Sequence, residues 1–159
     1  AAETYLGKGL TKLTADMDKK WRSAVIGSWR ERYKYAQQSQ RSLSELEKKA
    51  ECGPLTLDEA WQRACWTEEF QSSEAALPLY EQVLRMKGDH ADALFSVGRI
   101  MLTQEKSEGA DFIKRAMELN RDYAMPGCQL VCGFLLRKGK REEAKQFYEQ
   151  AVGAPPQAV

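Results

Sequence analysis

The chain has 159 residues, 43% of them hydrophobic and 30% charged, which suits one globular domain rather than a disordered chain. Lys and Arg total 24 against 23 Asp and Glu, so net charge points to no polyanionic partner, and no apolar run nears the ~18 residues that span a bilayer. A single histidine removes most imidazole-based enzyme mechanisms.

The chain opens on Ala1 without the charged, apolar and cleavage regions of a secretory leader, and it reads as a processed chain or a piece of a longer one. Residues 1–50 carry eleven Lys/Arg and six Asp/Glu; the rest carry thirteen and seventeen. From Leu10 to Glu51 there is no proline and one glycine, Gly27. Leu6, Leu10, Leu13, Met17, Trp21 and Ala24 step by three or four, which predicts a first helix. Gly27 is the expected break. Ser28 and Glu31 then spell a capping box. Trp29, Tyr33, Ala36, Leu43, Leu46 and Ala50 form a second narrow seam, ending before Gly53-Pro54, which cannot continue a helix. The two seams would cover each other, so residues 1–53 are expected to form a helical hairpin.

Residues 54–159 show an internal period. Small residues recur every 34 positions at Ala64, Gly98 and Cys132, and again at Ala76, Ala110 and Ala144. Tyr80 and Tyr148 lie 68 apart, as do Val83 and Ala151. The middle unit slips by one residue in its second half, at Ile113 and Ala116, and Pro156 falls where a unit would end. Thr56 and Glu59 form a capping box; Asp89 and Asp122 are candidate caps. Ser73 precedes a helix that holds Pro78, placed in its first turn. Gly139 suits a left-handed position at a helix end. Strand signals are absent, and the fold class is all-α: a hairpin followed by about three stacked helix-turn-helix units at 57–90, 91–124 and 125–156.

This 34-residue pattern resembles the tetratricopeptide repeat, over residues 57–156. That repeat packs a small residue at position 8 and Ala at position 20, with an aromatic at position 24. Its usual Trp at position 4 and Tyr at position 11 are replaced here by Ala60, Leu94 and Cys128, and by Thr67, Met101 and Leu135. The resemblance implies a solenoid whose concave face is built by A-helix positions 2, 5, 6, 9, 12 and 13. Trp61, Phe95, Arg99, Leu102 and Arg137 would then line a groove for a peptide or helix of a protein partner, with acidic residues to suit the two arginines. The carboxylate clamp of chaperone-binding members is missing, since Trp61 and Cys65 replace its first Lys and Asn. The groove's occupant is either the chain's own N-terminal helices or a foreign segment, and exposed Trp61 and Phe95 are the expectation.

A second resemblance covers Trp29-Arg30-Glu31-Arg32-Tyr33, then Leu55-Thr56-Leu57-Asp58-Glu59-Ala60 and the repeat-like units. It is similar to segments that follow an M48-type zinc-peptidase domain in some bacterial proteins. That domain carries H-E-x-x-H, which a chain with His90 alone lacks. The similarity implies a non-catalytic accessory region that meets other domains of the same protein.

No nucleophile–base pair stands out, so the chain is expected not to be an enzyme. Cys52, Cys65, Cys128 and Cys132 match no zinc-ligand spacing. They read as core or free thiols without metal or cofactor, fitting a reducing compartment such as the cytoplasm. His90 reads as a solvated turn residue. Arg22, Arg30, Arg32, Lys34 and Arg41 interleave with Trp21, Trp29, Tyr33 and Tyr35. A solvated helix face is favoured over nucleic acid or an anionic membrane surface.

Overall fold

The structure, a computed structural model, describes the backbone of residues 2–153 and the side chains of residues 16–151. Leu6, Leu10 and Leu13 of the first predicted stripe, and Pro156, lie outside the described side chains. Among the described residues there are seven α-helices, one 3-10 turn and no strand. The chain divides into two compact units, Ala1–Ser42 and Leu43–Val159.

Helix α1 runs unbroken over Ala2–Cys52, which overturns the expected hairpin. Gly27 sits inside it, exposed and with nothing near its missing side chain. A helical glycine costs only about 1 kcal/mol relative to alanine, too little to interrupt a helix by itself. The capping box at Ser28 goes unused, and Glu31 instead pairs with Lys34 at 3.5 Å, one turn on. The predicted end is right. The last hydrogen bond runs from Gly53 N–H to the Lys49 carbonyl at 3.0 Å, and Pro54 follows.

The remaining helices are α2 (Leu57–Phe70), α3 (Ser73–Met86), α4 (Ala91–Thr103), α5 (Gly109–Leu119), α6 (Ala124–Arg137) and α7 (Arg141–Gly153). They form three hairpins, α2–α3, α4–α5 and α6–α7, whose starts fall within a residue of the predicted units. The Thr56 capping box forms: its hydroxyl accepts from Glu59 N–H at 3.4 Å, and Glu59 accepts from Thr56 N–H at 3.0 Å. Lys49 also pairs with Glu59, which holds the Glu59 carboxyl below its usual range.

Other local expectations shift by a residue or two. Ser72, not Ser73, caps α3, accepting from Ala75 N–H at 3.1 Å. Pro78 lies in the second turn of α3, beside exposed Glu74, whose carbonyl it cannot bond. The cap expected at Asp89 falls to His90, whose Nδ1 accepts from Ala93 N–H at 3.3 Å. Helix α6 has no side-chain cap where Asp122 was expected to provide one; Asn120 Oδ1 instead caps the 3-10 turn before it, accepting from Asp122 N–H at 3.0 Å.

Two helix ends repeat at a spacing of 34. After α6, Gly139 adopts φ +76° while its N–H bonds Leu136 and that of Lys140 bonds Leu135. After α4, Glu105 adopts φ 64° with the same pair of bonds to Leu102 and Met101. Both are Schellman closures. Gly139 was legible for this role, whereas Glu105 holds a left-handed conformation that its residue type disfavours.

The core passes from one hairpin to the next, as in a stacked repeat array. Leu55, Ala60, Val83 and Ala93 form its first part, with Leu46 and Ala50 of α1 packed against them. Ala64, Ala76, Tyr80, Val97 and Ile100 form the second, and Leu102, Ile113, Val131 and Phe134 the third. The tightest crossing is glycine on glycine. A Cβ at Gly98 would lie 2.7 Å from the Gly109 carbonyl oxygen, and one at Gly109 would lie 2.6 Å from that of Gly98. Gly109 therefore takes the small position expected of Ala110, which is only half-buried. The one-residue slip seen at Ile113 and Ala116 begins here.

Candidate partner-binding face

The five predicted groove residues meet different surroundings. Trp61 and Phe95 sit at the same place in α2 and α4, and both are half-buried. Each is faced by the residue that leads into the next A helix. The Trp61 ring centroid lies 4.8 Å from that of His90. The Phe95 ring stacks on Tyr123 at 4.4 Å, with planes 21° apart. Trp61 also tilts against Tyr80 at 5.4 Å. His90 thus has two structural duties, capping α4 and covering Trp61, and is not merely solvated. A pairing of this kind leaves part of each ring open and fixes its orientation.

Tyr123 is anchored in turn. Its hydroxyl donates to Asp92 at 2.6 Å. Burial, then this bond to a carboxylate, pushes the Tyr123 phenol up to about 12, so it remains a donor at every physiological pH.

Arg99 is engaged within the fold. Its Nη2 donates to Glu68 at 2.5 Å, and Glu68 also accepts from Ser73 Oγ and Tyr80 OH, both at 2.9 Å. Burial opposes the charged form of Glu68. The bonds from Arg99, Ser73 and Tyr80 outweigh it and hold the carboxyl below the usual range. For Tyr80, burial is the first cause of a raised phenol, with Cys65 and Glu68 adding to it. A partly buried ion pair with further hydrogen bonds fixes geometry. Arg99 is therefore a strut between α2, α3 and α4, which corrects its expected role as an open cation beside the groove. The sequence placed Glu68 on the A helix but carried no sign that three donors would converge on it.

Leu102 is buried at 2% exposure, packed with Ile113, Val131 and Phe134. Its position faces the following A helix rather than an open groove, so it belongs to the core and not to the expected lining. Arg137 is exposed. Its guanidinium reaches back along α6 to Gly133, where a Cβ would lie 3.7 Å from Nη1. The structure thus groups Trp61 and Phe95 as equivalent half-open rings, each with an aromatic partner, ties the half-buried Arg99 to Glu68, and sets Leu102 inside.

The cysteines are unpaired. Cys128 is buried, and its sulfur lies 3.7 Å from that of Cys132, which also lies 3.4 Å from the Ala144 carbonyl. Burial, then the neighbouring Cys132, raises the Cys128 thiol to about 11, and burial raises Cys65. A thiol held protonated is a poor nucleophile and a poor ligand. Among the described residues no three His, Cys, Asp or Glu side chains come together as a metal site, and no helix is long and apolar enough to cross a membrane.

No protein-family model matches the sequence, and neither does a curated protein. Solved structures do match in fold. A crystal structure of MamA protein aligns at TM-score 0.63 and 13% identity, over 72% of this chain and 63% of that one. A structure of MamA MSR-1 aligns at 0.60 and 19%, over 73% and 67%. MamA 41-end from Desulfovibrio magneticus RS-1 aligns at 0.60 and 18%, over 73% and 66%. In a further crystal structure of MamA the chain spans 65% of that chain's length, under two thirds. At such identities the likeness speaks for architecture, and the architecture is an all-helical, tetratricopeptide-like repeat stack.

Proposed function

We propose that this chain is a protein-interaction module, in which the repeat stack presents Trp61 and Phe95 to an apolar segment of a partner protein. The observation that carries the reading is their equivalence. Two aromatic rings occupy one position in successive A helices, each half-open and each held by a neighbour, His90 or Tyr123. Rigid, pre-oriented aromatic rings lose little conformational entropy on binding and serve as anchors. Arg137 is the exposed cation of the predicted set and would meet an acidic residue of the segment. The partner's apolar side chains supply the affinity, since Arg99 is already neutralised by Glu68.

A benzoylphenylalanine placed at Phe95 tests the reading. Irradiation should cross-link a partner protein there and not at exposed Glu81 on α3, and Trp61→Ala should reduce the yield. Equal or absent cross-linking at both positions contradicts it.

A second reading has this module serve as the accessory region of a larger M48-type peptidase-like protein. The W-R-E-R-Y and L-T-x-D-E-A segments favour it, and its partner would be another domain of the same protein.

A further inference from the structure

The two links between hairpins do the same job with different chemistry. His90 lies against Trp61 and Tyr123 against Phe95, at ring separations of 4.8 and 4.4 Å. Tyr123 is fixed by the bond that its hydroxyl donates to Asp92. Its phenol, pushed up to about 12 by burial and that bond, keeps its proton across the physiological range. His90 is fixed the other way, as an acceptor. Its Nδ1 takes the Ala93 N–H at 3.3 Å and so caps α4.

That cap exists only while Nδ1 carries no proton. Histidine is the side chain that changes charge between pH 5 and 8. In the protonated ring both nitrogens are donors, so Nδ1–H would meet the Ala93 N–H, donor against donor. The new charge would also sit at the positive end of the α4 dipole. Trp61 attracts a cation over its half-open face, yet a lost cap and a charge at the helix start together outweigh that pull. One rigid ring makes both contacts, so turning away from Ala93 also takes it off Trp61.

Ionisable groups lie around the ring on each neighbouring element. Asp89 precedes it in the turn, and so does Lys87, whose carbonyl accepts the His90 backbone N–H at 3.2 Å. Asp92 follows on α4, with its carboxylate held by Tyr123. On α2, Asp58 and Cys65 lie about one turn either side of Trp61, and burial pushes the Cys65 thiol up. On α3, Tyr80 lies against Trp61 and donates to Glu68.

We propose that His90 is a proton-sensitive latch: as pH falls below neutral, its cap on α4 opens and Trp61 loses its cover, while Phe95, held by Tyr123, is unchanged. The proposal rests on the reading of Trp61 and Phe95 as one binding face, and it makes the Trp61 half of that face adjustable by pH.

The chain has a single histidine, which makes the test specific. Nuclear magnetic resonance of the 159-residue chain follows the His90 ring, the Ala93 amide and the Trp61 indole N–H from pH ~7.5 to ~5, with Trp61→Phe to assign the indole. The three signals should move with one midpoint, and the ring signals of Phe95 and Tyr123 should stay in place. In His90→Asn the new side chain caps without titrating, so Ala93 and Trp61 should hold still. Urea unfolding gives a second reading. The ratio of the parent's unfolding constant to that of His90→Asn should rise roughly fivefold over the same range, the share of one cap, because groups that titrate in both proteins cancel. A His90 ring that titrates while Ala93 and Trp61 stay still overturns the proposal. So does equal movement of those signals in His90→Asn, an unchanged ratio, or a Phe95 ring that moves with Trp61. No partner protein enters this experiment, so the latch can fail while the Phe95 cross-link stands, and the reverse.

Discussion

Tyr80 and Tyr148 hold the same place in the first and third hairpins, yet one is 2% exposed and the other 51%. Residue type and local helix are alike. The difference is α4, which lies over Tyr80 and has no counterpart beyond α7 in the described structure. In a stacked array a residue's burial is conferred by the next unit. The pair shows how much of the stability is non-local.

The largest expected effect tests that contrast directly. Tyr80→Ala removes a buried ring and leaves Glu68 short of a donor, so it should cost about 3–5 kcal/mol. Tyr148→Ala should fall within ~0.5 kcal/mol of the parent. Urea denaturation of the dilute chain measures both. Similar losses for the two would mean that the repeat positions are not inequivalent.

Gly98→Leu attacks the same interface from the helix crossing. The added side chain meets the Gly109 backbone and Ile113, and backbone cannot rotate out of the way. The cost should reach the upper end of the ~1–3 kcal/mol typical of overpacking. A melting temperature within a degree or so of the parent would contradict the close approach.

The smaller effect concerns the Glu68 strut and sharpens the contrast with pH. Its carboxyl is lower in the folded state than the ordinary glutamate value of ~4.3. The group therefore contributes stability that is fully present above that value and is lost as pH falls through the folded one. Glu68→Gln should be less stable than the parent at neutral pH, and its stability should fall less on going from pH ~5 to ~3. Parallel acid limbs for the two proteins would contradict the hydrogen-bond assignment.

Much of this architecture could be read from residues, and the failures have physical causes. The 34-residue period located three hairpins because small residues at 64 and 98 mark close helix crossings wherever they occur. Gly27 misled because glycine disfavours a helix weakly and cannot alone decide between a turn and continuation. The five residues expected to line a groove fared differently. Trp61 and Phe95 fall at equivalent positions, as periodicity requires. Arg99 and Leu102 were misplaced because their partners, Glu68 and Val131, come from units 31 and 29 residues away. Which of two surfaces of an A helix is open depends on stacking, and no local signal records it.

Hydrogen exchange on the dilute, monomeric chain tests most directly the claim that burial is handed from each hairpin to the next. Amides in α3 and α4 should exchange slowest, and those in α7 should exchange much faster, because among the described residues no helix packs on its outer side. Protection in α7 equal to that in α3 would contradict it.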